Sequence, residues 1–92
     1  MDKQWFRALV PGGHVGAGRV EERVIYLYAE NVGHAEQILY ARTGGWKKSK
    51  GPFSVRALAS HELVAIEETV NRRGNITIEL AMRDGFLYAD RR

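Results

Sequence analysis

Three sets of side chains in this 92-residue chain have types and spacings that could do chemistry. The first is His61-Glu62-Leu63-Val64-Ala65. It begins like an H-E-x-x-H metal helix, in which two histidines one turn apart share a zinc ion. Alanine stands where the second histidine is needed, so the bidentate geometry is missing. His14 falls in a glycine-rich loop and His34 in the first turn of an expected helix, and neither is spaced to complete a site. No metal and no cofactor are expected. Nucleophilic catalysis has nothing to build on either. There is no cysteine, and Ser49, Ser54 and Ser60 lie in no G-x-S-x-G elbow. Glu67 and Glu68 are adjacent, and on a helix they point about 100° apart, which suits a solvated face and not a carboxylate dyad. The chain reads as a non-enzyme.

The second set is basic. Residues 31–59 hold Arg42, Lys47, Lys48, Lys50 and Arg56 against Glu36 alone, a local excess of +4 in a chain of net charge +3. Trp46 sits among them. Lysines attract phosphates without reading sequence, and an exposed tryptophan can stack on an unpaired base. Arg42, Trp46, Lys47, Lys48, Lys50 and Arg56 are therefore the candidate contacts to RNA or DNA. A folded-back Trp46 with ordinary solvated lysines is the competing reading, with Arg42 simply complementing the negative end of its helix.

The third set is aromatic. Val24, Tyr26 and Tyr28 alternate along one face of an expected strand, beside Trp5 or Phe6 of another. Left bare, this face would be a homodimer or protein-partner interface, or a base-stacking platform lacking the usual RNP pattern. Covered by a helix or the C-terminal hairpin, it is core.

These side chains need elements to hold them. Val24–Ala29 is dense in β-branched and aromatic residues and reads as a central strand. Asn31 is a suitable N-cap for a helix from Val32 to Thr43, with Ala35, Ile38 and Leu39 packing on the Ile25/Leu27/Ala29 face and Gly44 at the left-handed C′ position. Lys3–Val10 reads as a first strand, ended by Pro11-Gly12-Gly13. Residues 11–19 then form a flexible hairpin connection. Their glycines lack the Gly-Lys-Ser/Thr of a phosphate loop, and Gly13-His14-Val15-Gly16 matches a KH loop in letters only. Phe53–Leu58 is a third strand. Ser60 can cap a helix over His61–Arg73, buried through Leu63, Ile66 and Val70, although Val64, Ile66 and Val70 also suit a strand. Ile76–Met82 alternates, with Ile76, Ile78, Leu80 and Met82 inside and Thr77, Glu79 and Ala81 outside. Asp84-Gly85 then turns into a short strand, Phe86–Ala89.

The order β-β-α-β-α-β-β predicts one α+β domain, with a mainly antiparallel sheet, one or two helices on one side, and a split β-α-β-like topology. In outline the first half resembles several small ribosomal and mobile-element proteins, the archaeal LX-type ribosomal protein being one example. Ala29-Glu30-Asn31, Ala35-Glu36 and Trp46-Lys47-Lys48 are the residues that carry the likeness. The resemblance implies a strand–strand–helix–basic turn–strand path and transfers no functional residue. No apolar run reaches the roughly 18 residues of a membrane span, and the N-terminus lacks signal-peptide character, so a cytoplasmic protein without membrane association is expected. The function expected is a small module binding nucleic acid weakly through its backbone. The alternative is an interaction module that self-associates through Trp5, Val24, Tyr26 and Tyr28.

Overall fold

The computed structural model describes residues 2–15, 19–42 and 54–89. They form an α+β domain with an antiparallel sheet and helices on both of its faces. Strands β1 (Gln4–Val15) and β2 (Arg19–Ala29) make a long hairpin, followed by α1 (Val32–Arg42) and β3 (Ser54–Ala57). A 3-10 turn (Ser60–Glu62) leads into α2 (Val64–Arg73), α3 (Ile78–Asp84) and β4 (Phe86–Tyr88). The sheet order is β3-β1-β2-β4, so the hairpin is central and the two short strands are its edges.

The hairpin does not end at Pro11. Pairing continues through Pro11–Glu22 to His14–Val20 and Val15–Arg19. Between the first two pairs β1 advances three residues and β2 only two, which is a bulge. A proline is tolerated here because β3 pairs only with Phe6–Leu9 of β1, leaving no described ladder on the other side of Pro11 to need its missing N–H.

Alternation along β1 and β2 separates two cores. Phe6, Ala8, Val10, Ile25, Leu27 and Ala29 face α1 and bury Ala35 and Leu39, with Ile38 packed at the margin. This matches the expected packing of the first helix. Alanines at positions 8, 29 and 35, all fully buried, let the helix backbone approach the sheet closely. The α1 N-terminus is capped as expected: the Asn31 side-chain oxygen accepts from the His34 N–H at 2.8 Å. His34 returns a bond, its Nδ1 accepting from the Glu30 N–H at 3.1 Å, so this imidazole closes the cap. Gly44 lies outside the described residues.

The opposite face differs from expectation. Helices α2 and α3 cover it, so the sheet is sandwiched between helical layers and does not have all its helices on one side. Segment 60–73 is helical, with Gly74 in the left-handed conformation at its end (φ 75°). Its buried stripe is Ile66, Thr69 and Val70, while Leu63 is exposed. Thr69 is tolerated inside because its hydroxyl donates to the Ala65 carbonyl at 2.8 Å.

Ile76–Met82 is not a strand. The Thr77 hydroxyl oxygen accepts from the Leu80 N–H at 3.2 Å and starts α3, and Gly85 (φ 78°) ends it by donating to Ala81. Gly85 therefore serves as a helix C-cap and not as the tip of a hairpin. A Cβ there would meet the Tyr28 carbonyl oxygen at 3.4 Å, besides requiring an unfavourable φ. The helix exchanges one pair of the expected facing: Ala81 is fully buried against the sheet and Leu80 is 46% exposed, while Ile76, Ile78 and Met82 pack on the core and Thr77 and Glu79 are exposed, as expected. β4 pairs with β2, through Leu27–Phe86, Tyr26–Leu87 and Ile25–Tyr88.

Candidate nucleic-acid interface

Of the six candidate nucleic-acid contacts, Trp46, Lys47, Lys48 and Lys50 lie outside the described residues. Arg42 and Arg56 are described, and the fold does not bring them together. Arg56 is on edge strand β3, whereas the Arg42 guanidinium lies 4.8 Å from the Phe86 ring on β4, the opposite edge. Three strand spacings, about 14 Å, separate the edges.

Each arginine also has a carboxylate. Arg42 donates to Asp84 Oδ1 at 2.7 Å, with both side chains nearly half exposed. Arg56 grips Glu62 with two parallel bonds of 2.8 Å each. Glu62 Oε1 further accepts from the Ala59 N–H at 2.9 Å, closing the 3-10 turn. The Arg56 bonds, then the Ala59 N–H, pull the Glu62 carboxyl down to about 2 from its ordinary 4.5, and Glu62 in turn raises the Arg56 guanidinium. A carboxyl depressed in the fold stabilises it fully above the unfolded value and loses that contribution as pH falls through the folded one. The Glu62 contribution should thus fade between pH 4.5 and about 2. In a carbon-detected carboxyl titration Glu62 should show a midpoint near 2, and a midpoint at its ordinary value would contradict the Arg56 pairing.

The expected aromatic interface is core. Trp5 and Tyr26 keep only 8% and 7% of their surface, packed with Ile66, Val70, Ala81 and Leu87. Trp5 and Tyr28 meet at 5.0 Å with rings tilted by 47°, and Val24 and Tyr28 are partly buried against the same cluster. The α2 and α3 layers occupy the space that a partner would take. Among the described residues no group of three His, Cys, Asp or Glu side chains could hold a metal ion. Nor is any helix among them long and apolar enough to cross a membrane.

Another row was missed by the sequence reading. On β4, Phe86 and Tyr88 project to the α1 side of the sheet, half-buried at the edge of that core. Their rings are nearly parallel (20°), with centroids 6.5 Å apart. Arg42 flanks Phe86, and Arg23 flanks Tyr88 at 6.0 Å while donating to its hydroxyl. Arg73 donates to the Tyr88 carbonyl at 3.2 Å, a group that points away from β2 and would otherwise mark an open sheet edge. Beside it, Arg73, Asn75, Ile76, Leu80, Arg83 and Asp84 line an open groove of about 520 Å³. Arg23, Arg42 and Arg73 thus contact β4, Arg83 lines the groove beside it, and Asp84 pairs with Arg42. The period-2 pattern of Phe86 and Tyr88 was visible in the sequence. Their arginine neighbours were not, since Arg23 and Tyr88 are 65 residues apart.

No family model matches the chain, and neither a curated protein nor a solved structure does.

Proposed function

We propose that this protein is a small non-enzymatic module that binds RNA or DNA weakly, mainly through the phosphate backbone. The supporting observation is the +4 excess of basic residues in the sequence of 31–59. Arg42 opens the segment holding Lys47, Lys48 and Lys50, and its partner Asp84 lines a groove with Arg73 and Arg83. Such a distribution attracts a polyanion without selecting its sequence. Arg42 and Arg56, each already offset by a carboxylate, add less than their formal charge, so the three lysines are the principal phosphate contacts. Trp46 stacks on a base or anchors its segment.

The test is fluorescence anisotropy with labelled single-stranded and duplex oligonucleotides at about 50 mM salt, comparing wild type with Lys47→Glu/Lys48→Glu. Reversing two contacts is expected to weaken binding at least about 10-fold for every sequence. Equal binding by the double variant would remove the lysines from the interface.

A further inference from the structure

We propose that Phe86 and Tyr88, framed by Arg42 and Arg23, form a stacking subsite for unpaired bases, which makes the bound nucleic acid single-stranded. This rests on the nucleic-acid reading above and adds to it a site and a strand class. Base stacking needs a solvent-facing π surface, and it is strengthened by planar cations alongside. Only the part of the β4 row that the α1 core leaves uncovered can meet a base. Its two rings are near-parallel and partly exposed, and guanidinium groups stand 4.8 Å from one ring and 6.0 Å from the other.

Several contacts hold the row in place. Asp84 fixes Arg42, the Tyr88 hydroxyl fixes Arg23, and Arg73 fixes the strand's outward carbonyl. The arginines therefore lose little further freedom on binding. Arg73 and Arg83 line the groove next to the row, and their positive charge attracts the phosphates that accompany the bases. The buried aromatic cluster of Trp5, Tyr26 and Tyr28 cannot serve this role, because α2 and α3 cover it. A duplex hides its base faces within the stack and offers nothing to these rings beyond its ends. The row thus favours single strands, whereas the lysine contacts accept either form.

The test compares three probes on the wild-type protein: a mixed-base single strand of about 15 nucleotides, an abasic strand with the same phosphates, and a duplex. The base-bearing strand is expected to bind at least about 5-fold tighter than the abasic one. Phe86→Leu and Tyr88→Leu should abolish that difference while leaving abasic-strand binding unchanged, and Phe86→Trp should preserve it. If the wild type binds base-bearing and abasic strands equally, the stacking subsite is overturned while phosphate binding stands. If it binds none of the three, the nucleic-acid reading fails and the subsite fails with it. Trp46 is another ring that can stack, so the preference is assigned to the row by its loss in a leucine variant shown to be folded by circular dichroism, and a folded variant that keeps the preference in full overturns the subsite.

Discussion

Ala81→Glu is expected to unfold the domain, and Leu80→Glu to leave it folded. Ala81 has no exposed surface and lies between α3 and the sheet, among Trp5, Tyr26, Ile66 and Leu87. A carboxylate there would lose its hydration without gaining a partner. The cost is several kcal/mol, whether the group stays charged or takes up a proton. A domain of this size has only roughly 5–15 kcal/mol of stability in total. Leu80 is 46% exposed on the groove side of the same helix, so a glutamate can keep its head in water at a cost of about 1 kcal/mol or less. Urea melts of the two variants measure this directly. Reading the segment as a strand predicts the reverse ranking, since alternation would put Leu80 inside and Ala81 outside. A stable Ala81→Glu beside an unfolded Leu80→Glu would therefore contradict the helix and the second layer with it.

That pair of residues also locates what the sequence could and could not disclose. The hairpin and α1 were legible because independent local signals agreed there. Val24–Ala29 has strand composition, Asn31 supplies the cap, and Ala35 and Leu39 recur at helical spacing. Alternation alone separated the two faces of each strand, and the pairing register then set Trp5, not Phe6, beside Tyr28. Ile76–Met82 failed because a seven-residue run of alternating apolar residues satisfies the strand period, while a short helix shows hardly two turns of its own. The signals that decide for helix were present at its ends, in Thr77 as N-cap and Gly85 as C-cap. Once α3 forms, it joins α2 over Trp5 and Tyr26, and the aromatic face offered as an interface becomes the second core.

The candidate site was legible only as charge. The basic composition of residues 31–59 could be read directly, but Asp84 is 42 positions from Arg42. Their meeting depends on α1 ending over β4, a product of the β3-β1-β2-β4 order that local pattern does not encode. Arg56 was grouped with Arg42 because they bracket the same segment, and the sheet order places them on opposite edges.

Salt should have the largest effect on function. A phosphate contact releases condensed counterions, so the slope of log K against log salt counts the contacts, at about −0.7 each for single strands and −0.9 for duplex. Three lysine contacts give slopes of about −2 and −3, respectively. Affinity should therefore fall about 20-fold for a single strand and about 40-fold for a duplex between about 50 and 200 mM salt. Arg42 and Arg56 add little, because each contact to a phosphate would compete with Asp84 or Glu62. The most direct test of nucleic-acid binding is this titration on the wild-type protein, following oligonucleotide anisotropy across that salt range. Binding at low salt with slopes near these values, and little change between base sequences, is the predicted result. No binding at about 50 mM, or binding that does not respond to salt, would contradict it.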